Sequence, residues 1–271
     1  MANPASDIKF SGSIPALYDE YLVPMIFEPY AAEIAPRVAA LAPSRVLETA
    51  TGTGVVTRAM ARILPAGIEL IATDLNQPML DRAAATGTQR PVQWQQADAM
   101  KLPFEDASFD VVVCQFGAMF FPDKAAAFAE ARRVLRPGGV FLFDVWDRIE
   151  DNEFADVATH ALAALFPADP PRFMERVPHG YYDRQTIERD LAKAGFAASP
   201  GFETIAARSR AASAQGPAIA YCQGTPLRNE IEARAGSLDE ATAVCLEAMT
   251  RRFGAGPIDG KIQAHILTAR R

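Results

Sequence analysis

The segment Arg45-Val-Leu-Glu-Thr-Ala-Thr-Gly-Thr-Gly-Val-Val-Thr57 constrains the fold of this chain more than any other. An apolar run ends on an acid, turns through two close glycines and enters a helix-compatible stretch. It reads as strand, tight loop, helix. Gly52 and Gly54 permit positive φ and the close approach of a ligand where a Cβ would intrude, and the helix that follows offers unpaired N–H groups in its first turn. The segment is a ligand cradle, and the rest of the chain must decide its ligand.

The same unit then repeats. Val55 to Leu64 fits a helix ending before Pro65, and Ile68-Glu-Leu-Ile-Ala-Thr-Asp74 is a second buried strand ending on an acid. Asn76 opens the next helix, with Pro78 tolerated in its first turn, and Val92-Gln-Trp-Gln-Gln-Ala-Asp98 is a third strand ending on an acid. Phe109 to Phe116 reads as a fourth strand, a helix from about Asp123 to Leu135 is stopped by Arg136-Pro-Gly-Gly139, and Val140 to Val145 is a fifth strand. This alternation makes an α/β chain with a mostly parallel sheet, covered on both faces by right-handed crossovers. Ligands of such sheets sit beyond the carboxyl ends of the strands.

The flanks break the alternation. Residues 1–12 are polar and small, and are expected to form a mobile tip or flap; Ile14 to Leu41 reads as two helices broken near Pro24 and Pro29. Tyr18, Tyr21, Phe27 and Tyr30 either wall a pocket or pack the helices on the sheet. Residues 147–182 insert a helix, Phe154 to Leu165, and a proline-rich turn. Asp183 caps a helix that stops at Gly195, and Phe196 to Ala207 is a sixth strand. Residues 211–260 are a second helical excursion in which Ser237 and Glu240 match a capping box, before Ile262 to Ala269 closes the chain as a strand. The organisation expected is an N-terminal helical cap (1–44), a cofactor-binding core (45–146), an inserted helical cap (147–182) and a C-terminal part of the sheet (183–271) carrying the 211–260 insertion, one catalytic domain in all.

Composition narrows the function. The chain has 271 residues, 49% of them apolar, which suffices for a full core, and its formal charge of −6 argues against a non-specific nucleic-acid binder. Cys114, Cys222 and Cys245 are odd in number, widely spaced and in apolar surroundings, so they read as reduced core residues and no metal site or disulfide framework is expected. His265 reads as a satisfied sheet residue, and His160 as an inserted-helix residue with no obvious partner. The N-terminus lacks a basic start followed by an apolar stretch, and no uncharged apolar run reaches about 18 residues. A cytoplasmic protein without membrane insertion is the expectation, as a monomer or homodimer.

A dinucleotide fingerprint would place a third glycine or alanine where this chain has Thr57. Asp74, ending the second strand, suits the hydroxyls of a ribose in either a nicotinamide or an adenosyl cofactor. Glu48 discriminates, because an acid in the loop repels a pyrophosphate but can hold a cationic amino group. Asp98 can accept from an adenine amino group.

Five ordered blocks carry a resemblance: Val46-Leu-Glu-Thr-Ala-Thr-Gly-Thr-Gly54, Ala72-Thr-Asp-Leu-Asn-Gln-Pro-Met-Leu80, Gln96-Ala-Asp-Ala-Met-Lys-Leu-Pro-Phe104, Ser108-Phe-Asp-Val-Val112 and Leu135-Arg-Pro-Gly-Gly-Val140. Across about Arg45 to Val145 the chain resembles the class I S-adenosylmethionine-dependent methyltransferases, in particular the ubiquinone/menaquinone-biosynthesis-type group of small-molecule enzymes. The resemblance implies a Rossmann-like seven-stranded sheet of order 3-2-1-4-5-7-6 with helical cap insertions. It implies S-adenosyl-L-methionine as cofactor and S-adenosyl-L-homocysteine as product. The backbone around Ala50, Gly52 and Gly54 would hold the methionine part and Glu48 its amino group. Asp74 would take the ribose, Leu75 and Met79 would flank adenine, and Asp98 with the Ala99 backbone would read the adenine edge. Gln115 and Phe116 would lie near the sulfonium. Ala50 departs from the usual glycine, which implies a slightly altered loop with binding retained.

Methyl transfer needs a nucleophile aligned behind the carbon–sulfur bond, so the protein mainly positions. If a base is used, His179 in Pro178-His-Gly-Tyr-Tyr182 is the candidate, an exposed loop histidine being the alternative reading. Tyr18, Tyr21, Trp146 and Asp147 are candidates for the acceptor pocket. The acceptor expected is a small, partly apolar or aromatic molecule. The rival readings are a nicotinamide-dependent oxidoreductase and a non-catalytic S-adenosylmethionine-binding protein.

Overall fold

A computed structural model describes residues 7–196 and 199–271. The flap expected at residues 1–12 therefore lies outside the described residues over 1–6, as do Ala197 and Ala198 of the expected sixth strand. Seven strands, β1 (Arg45–Glu48), β2 (Glu69–Asp74), β3 (Gln93–Gln96), β4 (Phe109–Gln115), β5 (Leu135–Trp146), β6 (Gly201–Ala211) and β7 (Ile258–Arg270), form one sheet in the order β3-β2-β1-β4-β5-β7-β6. This is the order the resemblance implied. β1 pairs in parallel with β2 and β4, β2 with β3, and β4 with β5.

The helices in chain order are α1 (Ile14–Leu17), α2 (Glu28–Ala40), α3 (Val55–Ile63), α4 (Gln77–Thr86), α5 (Lys124–Val134), α6 (Glu153–Leu165), α7 (Phe173–Arg176), α8 (Arg184–Lys193), α9 (Gln215–Gln223), α10 (Leu227–Ala233) and α11 (Leu238–Phe253). The break expected near Pro24 and Pro29 is not formed. Tyr18–Phe27 winds instead as a π-helix, closed by Glu28 N donating to Val23 O, and this wider turn accommodates the ring of Pro24. Pro29 is the second residue of α2, which follows the π-helix without a gap, and Pro36 lies inside it. The expected caps at Asp183 and Ser237 are present, accepting from the N–H groups of Thr186 and Glu240, and Asp123 caps α5 in the same way, accepting from Ala126 N.

Strand limits differ from the sequence reading where burial and pairing, not apolar pattern, decide them. Arg136-Pro-Gly-Gly139 is part of β5, because Leu135 already pairs with Phe109 before the register shifts ahead of Val111 and Val140. β3 is short and half-exposed, so Asp98 lies on the loop beyond it. β6 starts later and ends later than Phe196 to Ala207, and β7 is longer than Ile262 to Ala269.

The chain divides into two compact units. The first comprises Tyr30–Val145, Tyr181–Ile205 and Ala264–Arg271. In it Val46, Val111, Val113, Leu142 and Ile266 from the strands bury against Ile34 and Val38 of α2 and Val56 and Met60 of α3. The apolar face of α2 belongs to this sheet core. Each such side chain contributes about 1.5–3 kcal/mol by leaving water, and cover on both faces explains why consecutive residues Val111–Cys114 of β4 are all apolar and buried.

The second unit comprises Met1–Pro29, Trp146–Gly180 and Ala206–Gln263. Phe154 of α6 meets Phe253 of α11 edge-on at 4.9 Å. Arg176 makes a two-pronged bond to Asp7 at 2.6 and 2.9 Å and a third to Glu230 at 2.9 Å. Cys222 and Cys245 are free thiols with their sulfurs 3.5 Å apart, and Cys114 of the first unit is likewise free and buried. Among the described residues no helix is long and apolar enough to cross a membrane.

Candidate functional site

The loop after β1 is pinned to both neighbouring strands. Thr49 N donates to Val113 O of β4 and Thr51 N to Thr73 O of β2, each at 2.9 Å. Ala50, Gly52 and Gly54 take φ of +52°, +57° and +83°. Gly54, the residue before α3, cannot carry a side chain, since a Cβ there would lie 2.9 Å from the Trp94 ring and 3.2 Å from Ala83. Ala50 occupies the left-handed region that disfavours L-residues. Its methyl fits because Gly117, after β4, has none: a Cβ on Gly117 would sit 2.4 Å from that of Ala50 and 2.8 Å from Cys114 Sγ. The altered loop implied by Ala50 is thus a loop matched by Gly117.

Glu48, 1% exposed, faces into this loop. Thr57 Oγ1 donates to its Oε2 at 2.5 Å, and the Thr51 and Thr57 hydroxyls are 2.7 Å apart. Burial pushes the Glu48 carboxyl up to about 7, against the opposing pull of the two threonine hydroxyls and Arg58. Thr57, which the sequence marked only as a missing glycine, is thereby the group that holds the loop acid. Asp74 is also buried, and burial raises its carboxyl. Gly52 N donates to Oδ2 at 2.9 Å and Asn76 N to Oδ1 at 2.8 Å, which oppose that rise. One strand-end acid therefore holds the glycine loop and the start of α4 together.

The remaining candidates separate. Asp98 is half-buried and accepts from Met100 N at 2.8 Å, closing its own turn, with Ala99 half-buried beside it. Leu75 is 44% exposed whereas Met79 is buried, so the pair expected to flank adenine presents one open and one packed side chain. Gln115 and Phe116 are buried at the end of β4, and Phe116 has φ +50°. Phe116 N donates to Asp144 Oδ1 at 2.7 Å. Asp144, near the end of β5, is wholly buried, and burial raises it well above the usual carboxylate range. Sequence reading missed Asp144, Thr51 and Thr57. Asp144 resembles Glu48 and Asp74 in following an apolar run, but two further strand residues, Val145 and Trp146, come after it.

In the second unit, Tyr18 stacks on Phe27 at 4.9 Å, Phe27 meets Trp146 at 6.1 Å, and Trp146 meets His179 at 6.0 Å. Tyr21 is elsewhere: with Glu20, Pro24, Met25, Arg210 and Gly216 it lines a cavity of about 410 Å³. His179 is not the exposed loop histidine of the alternative reading but 5% exposed. Its Nδ1 lies 2.8 Å from Asp147 O, so Nδ1 carries the proton and donates, leaving the lone pair on Nε2. Burial lowers it to about 4, so it is neutral across the physiological range. Asp147 accepts from Arg148 N at 2.7 Å and Gln263 Nε2 at 2.6 Å. His160 has a partner after all, Asp156 at 3.2 Å, and His265 is satisfied by Thr204 at 2.9 Å. Among the described residues no group of three or more His, Cys, Asp or Glu is arranged to hold a metal ion.

A methyltransferase-domain family matches residues 47–143, the span from β1 to β5. The ubiquinone/menaquinone biosynthesis C-methyltransferase of Ectopseudomonas mendocina is 34% identical over 166 residues, 56% of this chain and 65% of that protein. The enzyme of the same name from Teredinibacter turnerae is 31% identical over 166 residues, 56% of this chain and 67% of that protein. The chain thus spans less than two thirds of the first relative's length. A candidate methyltransferase of Bacillus halodurans shares the fold, with a TM-score of 0.55 at 21% identity over 88% of this chain and 97% of that one.

Proposed function

We propose, from the premise that the chain belongs to the class I S-adenosylmethionine-dependent methyltransferases, that it moves a methyl group to an O, N, S or C atom of a small, partly apolar acceptor by in-line displacement. The observation that carries this reading is the Glu48–Thr57 hydrogen bond at 2.5 Å inside the glycine loop. A dinucleotide pyrophosphate would meet a second negative charge there, whereas an ammonium group would find an acid already oriented for it.

The residues present fit the cofactor. Glu48 would take the amino group, and the positive-φ backbone of Ala50, Gly52 and Gly54 would accommodate the methionine part. Asp74, whose Oδ1 accepts from Asn76 N and more distantly from its Nδ2 and whose Oδ2 keeps a lone pair after bonding Gly52 N, would accept from the ribose hydroxyls. Leu75, Met79, Asp98 and the Ala99 backbone would border the adenine, and Gln115 and Phe116 the sulfonium. When bound, S-adenosylmethionine supplies an electrophilic methyl together with its own leaving group, a thioether. What remains for this chain is to hold the acceptor in line and exclude water.

Within the second unit, Tyr18, Phe27 and Trp146 give an aromatic surface suited to a flat or apolar acceptor, with Asp147 held beside it. Neutral His179, with its free lone pair on Nε2, suits a hydrogen bond from an acceptor O–H or N–H better than full proton removal, because its basicity is low. Incubating the protein with methyl-labelled cofactor and a panel of small phenols, amines, thiols and carboxylic acids tests the reading. Label is expected in at least one acceptor; cofactor binding without transfer to any would support a binding protein, and failure to bind S-adenosylhomocysteine in calorimetry would remove the reading altogether.

A further inference from the structure

Asp144 is a wholly buried acid with no ion-pair partner among the described residues. Its Oδ1 accepts from Phe116 N at 2.7 Å, the nearer of two acceptors for that N–H, the other being the Asp144 main-chain carbonyl at 3.3 Å, while its Oδ2 is buried and, among the described residues, has no hydrogen-bond partner. β4 and β5 set this geometry, since Gln115 and Asp144 are partners in the parallel register. An ionised carboxylate in such a place leaves one charged oxygen unsolvated, at a cost of several kcal/mol. It would also add a like charge to Glu48, the other acid whose field bears on it. A carboxylic acid avoids both.

The bond from Phe116 matters because of where that residue sits. Phe116 is held at φ +50°, and Gly117 beside it supplies the space that the Ala50 methyl fills. The turn after β4 and the loop after β1 therefore fit each other. Asp144 fixes the β4 side of that fit from the neighbouring strand.

We propose that Asp144 is a positioning residue held as the neutral acid: its Oδ1 fixes the Phe116 N–H, and with it the left-handed turn that seats Gln115, Phe116 and Gly117 against the Ala50 loop, without placing a second negative charge beside Glu48. The groups that face it are Glu48 from β1 and Cys114 from β4, whose thiol burial pushes up to about 12, so both neighbours leave Asp144 without a cation. Asp74 and Arg58 act on Glu48 rather than on Asp144. Burial supports the same protonation state by raising the Asp144 carboxyl well above its ordinary range. The effect on cofactor affinity rests on the methyltransferase reading; the protonation state and the held turn do not.

Two variants and two cofactor-free readouts test this. Asp144→Asn reproduces the shape and neutrality of the acid, and Asp144→Ala removes the side-chain acceptor for Phe116 N–H, leaving only the longer bond to the main-chain carbonyl at 3.3 Å. In infrared difference spectra at pH 8, where Glu48 is mostly ionised, the wild type is expected to show a protonated-carboxyl C=O band that Asp144→Asn lacks. Amide exchange at Phe116 is expected to stay slow in Asp144→Asn and to become faster in Asp144→Ala, where only the longer bond to the main-chain carbonyl of residue 144 remains. In calorimetry with S-adenosylhomocysteine, Asp144→Asn should bind within about threefold of wild type with the same pH dependence, and Asp144→Ala more than about tenfold more weakly. Absence of the band, an Asp144→Asn protein that does not fold, Asn as weak as Ala, or Ala as tight as wild type would each overturn the proposal. If the wild type binds no S-adenosylhomocysteine, the functional reading fails, and the band and the Phe116 exchange still decide the role of Asp144.

Discussion

Glu48 and His179 show how burial, rather than residue type, sets what a side chain can do. Glu48 stands near 7 before any cation reaches it, so binding an ammonium group must draw its proton off when the pH is below that value. Affinity for S-adenosylhomocysteine is therefore expected to fall toward a limit of about tenfold per pH unit below pH 7 and to level off above it, as calorimetry from pH 5.5 to 8.5 would show. Glu48→Gln should bind weakly at every pH and lose that slope; a retained slope would assign it to another group. His179 sits at the other extreme, lowered to about 4 and neutral throughout this range. His179→Gln is expected to lower turnover at saturating substrate well short of the roughly 10²–10⁴-fold of a lost general base. It should add no new limb to the rate–pH profile, and a loss within that large range would make His179 the base.

At the level of elements, the loop after β1 and the turn after β4 are complementary. Ala50 pays a left-handed strain of about 1–2 kcal/mol, and Gly117 leaves room for its methyl. Ala50→Gly is expected to be neutral or stabilising by up to about 1 kcal/mol, the relief of strain being partly cancelled by the entropy of a more flexible residue. Gly117→Ala alone should destabilise by about 1–3 kcal/mol through overpacking. Combined in one chain the two should cost less than their sum by about 1 kcal/mol, measured by urea unfolding, with the remainder due to Cys114 Sγ at 2.8 Å. Additive effects would show that the loops are independent. The π-helix Tyr18–Phe27 teaches a related lesson: Pro24 was legible as a helix breaker, but a wider turn needs only local winding to absorb it.

For the molecule as a whole, the buried acids shape stability as well as binding. Glu48, Asp74 and Asp144 have folded values raised above their unfolded ones, so the folded chain holds more protons than the unfolded chain and stability falls as pH rises through that window. For Glu48 the window runs from 4.5 to about 7, worth up to about 3 kcal/mol. The acids lowered by their partners, Asp110 by the N–H groups of Ser44 and Arg45 and then by Arg136, and Asp151 by Lys261, act in the opposite sense but are fully ionised well below pH 6. The melting temperature is thus expected to drop between pH 5 and pH 8. Glu48→Gln should melt higher than wild type at pH 8 and nearly together with it at pH 5, and a wild-type melting temperature flat over this range would contradict the burial argument. The sequence by itself determined the α/β alternation, the cradle between β1 and α3, and the strand-end acids Glu48 and Asp74, because these are written in local periodicity and glycine spacing. Only the tertiary structure decided that Thr57 holds Glu48, that Gly117 makes room for Ala50, that His179 is buried and neutral, and that Asp144 lies beneath the turn at Phe116. Each of these joins residues separated along the chain, and a side chain's charge state follows from solvent exclusion, which no local pattern records.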